Sequence, residues 1–479
     1  MGKLQKPTLR SRVLGAWQGK SVGGTLGLPA EGKMERQYYR FYDPIPDHAP
    51  PNDDLELQLV WLDLMERHNG PLTINSIANA WLAHIHYMWD EYGRCRWNLR
   101  RGVPPSLAGA YENPFDSGMG SPIRSEIWAI AAAGNPDLAE RFATLDSTID
   151  HGAEGIAGEV FFAVLQSLIL GGESLAVSVE TALQRVSPET ETRRALDLLS
   201  SLHRQGIECW TVREKLLNAH RHDNFTHAPL NVALTLWALL YGNGDFESSI
   251  LLAVNGGYDT DCTAATAGAI LGMLHGAEQL PKKWLAPLGN AVAVGPGILA
   301  ISAPKTLEEL TERSLALIDR AKTLTPQLPV KPADFPAQTQ LRGNVTISAG
   351  STSILWANGE LPDEIKANGG CALQWHVGEN VGRPFRLIAL ARDGCQLWID
   401  GKKIIDCPAG LPYIPATHRS PTGSFVDFLP TQDRYEIRIE LNSRSPIQPA
   451  TLLLADAALH LVPWNGEQLP HTAKAPVLL

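Results

Sequence analysis

What this chain of 479 residues lacks narrows it first. Its six cysteines (Cys95, Cys209, Cys262, Cys371, Cys395 and Cys407) are scattered and form no CxxC pair. In so long a chain that points to free thiols in a reducing compartment rather than to a disulfide scaffold. Paired His or Cys ligand spacing is absent as well, which argues against zinc; His84 and His86 lie two apart and point to different helix faces. There is no run of lysine or arginine and the formal net charge is −10, which disfavours nucleic acid as the main partner. No uninterrupted stretch of about 18 apolar residues occurs, so no membrane span is expected. The first apolar stretch is broken by Trp17-Gln18-Gly19-Lys20 and has no signal-peptide layout, so the expected location is cytoplasmic. Strand-like alternation is missing before about residue 340, which makes the first two thirds all-α.

What is present is concentrated in two acidic corners. In Asn255-Gly256-Gly257-Tyr258-Asp259-Thr260-Asp261-Cys262, glycines free the backbone for a tight turn and two carboxylates sit two residues apart at the mouth of a helix. The helix body is small residues (Ala264, Ala265, Ala267, Gly268, Ala269, Gly272 and Gly276), a composition suited to burial. Ionised carboxylates at the edge of a packed core need cations or donors. The second corner, Asn52-Asp53-Asp54, opens a helix with apolar positions Leu55, Leu59, Leu62 and Met65. A DD pair at a helix start is ordinarily an N-cap, and its match to the later pair strengthens the case for metal binding. Four carboxylates with Asn and Thr oxygens form a hard ligand set suited to Mg²⁺, Mn²⁺ or Ca²⁺.

Elsewhere, Gly15, Gly19, Gly23 and Gly27 recur every four residues and line one stripe of a helix, an arrangement for close backbone packing. Glu31 follows the breaker Leu28-Pro29-Ala30 and can point into a cleft. The segment Thr73 to Trp97 reads as a helix and then an aromatic, charged patch. There Trp89 or Trp97 offers a ring for stacking on a sugar or base, with packing as the alternative. Gly118, Gly120, Ser121 and Arg124 form a turn entering a helix, whose exposed N–H groups and arginine suit phosphate. Asp150 and His151 lead into the apolar segment Val160 to Leu170, with His151 equally readable as a structural histidine or a ligand contact. Further helices are expected at about 174–187, 189–204, 210–220, 229–241 and 245–254. After Pro326, Pro329, Pro332 and Pro336, seven strand-like segments follow, and Asp400-Gly401 is a favoured hairpin turn. The size calls for two domains. The fold class expected is multidomain α + β: an all-α domain over 1–325, a proline-rich linker over 326–340, and a jelly-roll-like β-sandwich over 341–479.

Five ordered pieces together resemble the ADP-ribosylglycohydrolase family, which includes the dinitrogenase-reductase-activating glycohydrolases: Gly19 to Glu31, Asn52-Asp53-Asp54, Gly118 to Arg124, Asp150 to Gly158, and Gly256 to Cys262. The resemblance spans residues 9 to 276. It implies an all-α fold with two Mg²⁺ ions in a central cleft and cleavage at the ribose anomeric carbon of an ADP-ribosylated acceptor. By position it implies Asn52, Asp53 and Asp54 as the first metal-ligand group and Asp259, Asp261 and Cys262 as the second. Glu31 would stand near the scissile bond, and the Gly118 to Arg124 loop would contact ADP-ribose. Asn52 stands where the family has Thr, Cys262 where it has Thr or Ser, Asp150 where His is common, and Gly24 where Asp is common.

These readings converge on a Mg²⁺-dependent hydrolase of N- or O-glycosidic bonds, with Glu31, Asp54 and Asp261 as the catalytic set and Gly118, Gly120, Ser121, Arg124, Asp150, His151 and Trp89 toward the substrate. The substrate would be a small-molecule or protein-linked glycosyl or ADP-ribosyl group. The rivals are a glycoside or nucleoside hydrolase on the same scaffold and a non-catalytic binder of ADP-ribose or glycans. For the sandwich the expected roles are a lid and homo-oligomer contact, or glycan binding.

Overall fold

A computed structural model gives the fold and describes residues 6–330 and 338–470; Pro332 and Pro336 of the expected linker lie outside them. The chain divides into two compact units, Met1–Ile85 with Asp116–Val330, and His86–Phe115 with Lys331–Leu479. A single boundary at 326–340 therefore misses an excursion. The expected stretch from Thr73 breaks into helices Ile74–His84 and Asp90–Arg101, and the second helix belongs with the C-terminal unit.

In the first unit the glycine stripe decides the packing. Helix Leu9–Gly27 runs antiparallel to helix Thr260–His275, so that Gly15, Gly19, Gly23 and Gly27 lie against the backbones of Gly272, Gly268, Ala264 and Thr260. A Cβ at any of the four would overlap a carbonyl of the facing helix. The cost of glycine in a helix, about 1 kcal/mol each, is offset by this close approach. Its geometric consequence is that the end of one helix, leading to Glu31, lies beside the start of the other, carrying Asp261. Thr260 fastens the junction by donating its hydroxyl to the Gly27 carbonyl at 2.8 Å. The expected later helices appear as Leu175–Leu183, Glu191–Arg204, Cys209–His220, Ala228–Tyr241 and Phe246–Asn255. Helix Ala153–Leu170 alone among the described residues is long and apolar enough to cross a membrane, although Glu154 and Glu159 interrupt its run. Most of it is buried inside the unit, as befits a core helix.

The second unit has two antiparallel sheets. Its strands are β1 (Val345–Ala349), β2 (Thr352–Trp356), β3 (Gly359–Glu360), β4 (Gly370–His376), β5 (Phe385–Ala391), β6 (Cys395–Ile399), β7 (Lys402–Cys407), β8 (Phe425–Phe428), β9 (Arg434–Leu441) and β10 (Ala450–Asp456). One sheet runs β2-β1-β4-β9-β6-β7 and the other β3-β10-β5-β8. Tyr435, Ile437 and Ile439 alternate inward, and Asp400 and Gly401, both at positive φ, make the β6–β7 turn. Three strands escaped the sequence reading: β3 is two residues long, β8 is four, and β7 opens on two exposed lysines. Inward side chains of both sheets join one hydrophobic cluster. Trp97 of helix Asp90–Arg101 belongs to it, Arg94 donates to the Asn358 carbonyl at 3.0 Å, and Asp90 pairs with Arg419. Those partners explain why residues 86–115 leave the first unit.

Candidate active site

Three loops of the first unit carry the acidic groups. Asn52 caps helix Asp53–Arg67: its Oδ1 accepts the Asp54 N–H at 2.7 Å, and its Nδ2 donates to Asp261 Oδ2 at 3.3 Å. The oxygen expected to face a metal thus closes the cap, and the amide bridges the two acidic corners. Asp259 stands at the N-cap of helix Thr260–His275 but makes no side-chain cap hydrogen bond. Its own N–H is held by Asn231 Oδ1 at 3.3 Å, which leaves the carboxylate to point elsewhere. Glu31, exposed, follows the 3₁₀ turn Leu28–Ala30. The loop it opens is stitched to the Asp259 loop by Tyr258 N–H to the Lys33 carbonyl and Gly32 N–H to the Tyr258 carbonyl, each 2.9 Å. Gly257, at φ +73°, presses on the backbone of residues 33–35, where a side chain would collide.

The result is two groups of ligand atoms, each within 4.8 Å: Asp54 with Asp261 and Cys262, and Glu31 with Asp259 and Asp261. Residues more than two hundred positions apart meet, and Asp261 belongs to both groups. Asp54, Asp259 and Asp261 are nearly inaccessible to solvent. Asp54 Oδ2, both oxygens of Asp259 and Asp261 Oδ1 find no hydrogen-bond donor among the described residues. Burial and the neighbouring charges, Asp261 for one and Glu31 for the other, push the Asp54 and Asp261 carboxyls up to about 7, and burial with Asp261 raises Asp259 well above its usual range. Buried carboxylate oxygens without donors are costly, and a hard divalent cation would satisfy them and return these groups to the ionised form. The residues present fit such an ion. Cys262 fits it least, because burial and four surrounding aspartates raise its thiol well above the usual range and keep it neutral. Thr263, the nearby hydroxyl, instead donates to the Thr260 carbonyl at 3.3 Å.

Beneath Asp54 lies a group that sequence reading missed. Lys20, on the glycine-striped helix and 1% exposed, reaches Asp54 Oδ1 at 3.4 Å, Glu126 Oε2 at 3.1 Å and the Ile123 carbonyl at 2.7 Å. Burial acts to discharge it, but Glu126 and Asp54 outweigh that and hold it cationic. Gln58 Nε2 donates to Glu126 at 2.9 Å and completes the base. A lone lysine among glycines gives no sign of this role; only the approach of the helices does.

The expected substrate side is placed unevenly. Gly118, Gly120 and Ser121 are buried, not exposed at a helix start, and Ser121 donates to the Gly155 carbonyl at 3.1 Å. Arg124, fully buried, forks onto Asp146 and Asp150 at 2.7 to 3.0 Å and donates to the Gly120 carbonyl, so it braces the loop from inside. Asp150 is held between Arg124 and His151 Nδ1, the latter at 2.9 Å. Burial acts to raise the Asp150 carboxyl, but Arg124 and His151 outweigh it and hold the group below the usual carboxylate range. Trp89 lies in the second unit, stacked on Tyr87 at 4.3 Å. His227 lies near the Asp259 loop through Asn231, whose Nδ2 donates to its carbonyl at 2.9 Å. Burial and its neighbours His222 and His220 push His227 down to about 3, so it is neutral.

The sequence matches the ADP-ribosylglycohydrolase family over residues 5–324. It is 23% identical over 309 residues to the ADP-ribosyl-[dinitrogen reductase] glycohydrolase of Rhodospirillum rubrum, covering 60% of this chain and 93% of that one. It is 38% identical over 79 residues to the ADP-ribosylarginine hydrolase Tri1 of Serratia proteamaculans, 16% of this chain and 21% of the relative. Among solved structures, an ADP-ribosylglycohydrolase-related protein complex covers 65% of this chain and 99% of its own at 22% identity and a TM-score of 0.44. With two thirds of its length matched by the family, the chain belongs to the ADP-ribosylglycohydrolase family and is a hydrolase.

Proposed function

We propose that the first unit hydrolyses the glycosidic bond between ADP-ribose and an acceptor group, with a divalent cation, Mg²⁺ by ligand type, at Asp54, Asp259 and Asp261. The observation that carries this reading is the meeting of three buried aspartates with four undonated oxygens beside an exposed Glu31. A divalent ion bound there would polarise sugar oxygens and lower the pKa of a coordinated water. Asn52 fixes the spacing of the two corners, and Lys20 holds one oxygen of Asp54 so that the other faces the cleft. Glu31, at the solvent edge, takes the proton of the attacking water. Two of the relatives named above carry an ADP-ribosylated substrate in their names, which supports the bond type. Within the second unit, we read the two sheets as a β-sandwich.

Assays with Mg²⁺ and with EDTA on ADP-ribosyl-arginine, ADP-ribosyl-serine, nucleosides and oligosaccharides test the proposal. The expected result is metal-dependent release of ADP-ribose from at least one conjugate. Cleavage confined to nucleosides or oligosaccharides would assign the scaffold another sugar. Tight metal-free binding of ADP-ribose without turnover would make it a binder.

A further inference from the structure

The second unit contains a cavity of about 540 Å³ that no part of the hydrolase reading uses. Helix Asp90–Arg101 brings Arg96 and Arg100 to its wall, and the connection from β4 to β5 brings Arg383. Trp375 and Phe385, edge to face at 5.2 Å, form an apolar side. The volume lies in the range of small-molecule sites, roughly 300 to 1,000 Å³, and is far larger than a lone inorganic ion requires.

The charge of the wall is the informative part. Two carboxylates line it, and each accepts backbone N–H groups, Asp456 within its own turn and Glu467 from a distant loop. Asp456 Oδ1 accepts the N–H groups of Ala458 and His460 at 2.9 and 3.0 Å, and Glu467 Oε2 accepts the Gly343 N–H at 2.7 Å. Arg100 donates to the carbonyls of Leu469 and Pro470, which orient the guanidinium, and the Asp456 charge offsets part of its own. Arg96 is 6% exposed, and burial, with a smaller effect of the Arg100 charge, lowers it to about 10. Arg383 is exposed at the rim. A planar guanidinium matches phosphate oxygens in bidentate geometry, and with three arginines against two carboxylates the wall is net cationic.

We propose that this cavity binds a phosphorylated small molecule of sugar-phosphate to nucleotide size, its phosphate oxygens against Arg96, Arg100 and Arg383 and its less polar part against Trp375 and Phe385. The site is independent of the acidic cleft, and its test is run in EDTA to keep phosphate from binding through a metal there. Titration calorimetry of the full chain with inorganic pyrophosphate, glucose 6-phosphate and AMP, and with neutral N-acetylglucosamine as control, reads it. At least one phosphorylated probe is expected to saturate at one site per chain, with affinity at least tenfold weaker in Arg383→Glu and in Arg96→Gln. Arg383 is at the surface, so its variant decides the matter if Arg96→Gln does not fold. Amide exchange should slow in residues 376–386 and 456–469 on binding. No saturable binding by any phosphorylated probe, equal binding by Arg383→Glu, or binding of the neutral sugar alone overturns the proposal.

Discussion

At the scale of single residues, Asp261 and Lys20 play opposite parts around the same carboxylates. Asp261 belongs to both ligand groups, so Asp261→Asn should weaken divalent-metal affinity on the order of 10–100-fold and lower turnover with it. Calorimetry and a turnover assay read both; unchanged turnover removes the mechanism. Lys20 is the buried counter-charge of Asp54 and Glu126. Lys20→Met should destabilise the metal-free protein by about 3–5 kcal/mol, because it strands buried carboxylates, and a urea midpoint measures it. A loss under about 1 kcal/mol would show that those acids are protonated whether or not the lysine is there. The raised carboxyls also set a pH dependence. Asp54 and Asp261 titrate near 7 in the fold and near 3.9 when unfolded, so their contribution to stability is full below about 4 and is lost as pH rises through 7. A cation binds the ionised form. Mg²⁺ at 100 times its Kd adds about 2.7 kcal/mol, and the rise in Tm should be larger at pH 8 than at pH 5.5. An equal rise at both would place the ion elsewhere.

At the scale of elements, the pairing of helices Leu9–Gly27 and Thr260–His275 sets the site. The stripe holds their backbones in contact, and the ends that meet carry Glu31 on one side and Asp261 on the other. Gly23→Ala forces its Cβ into the Ala264 carbonyl and should cost about 1–3 kcal/mol, with weaker metal binding as the corners separate. Gly24→Ala is the contrast, since its Cβ would reach only the Asn52 amide at 3.4 Å and Ala265 at 3.7 Å. Thermal melts of the two variants separate the cases; equal Tm values would show that the stripe is not what holds the helices at this distance. Sequence spacing displayed the stripe, but not its partner. Any small-residue helix could have faced it, and only the positions of Gly268 and Gly272 on the surface that packs there select this one.

At the scale of the whole molecule, the excursion of residues 86–115 makes the units interdependent in sequence. Trp97 and Arg94 find their partners in the C-terminal unit, so a chain ending at residue 330 should expose that helix. Soluble yield should fall, and proteolysis should begin within 86–115; a soluble, protease-resistant fragment would refute this. The sequence by itself determined the helical and β-rich parts, the acidic corners and the family, because periodicity, turn residues and motif order are local properties that survive without coordinates. It could not determine that Lys20 lies under Asp54, that the Asn52 oxygen is taken by a helix cap, that Arg124 and Asp150 hold one another inside the unit, or that a helix of the first hundred residues completes the second core. Each of those depends on which surfaces exclude water together, and in a chain of this length the partner that buries a residue lies tens to hundreds of positions away.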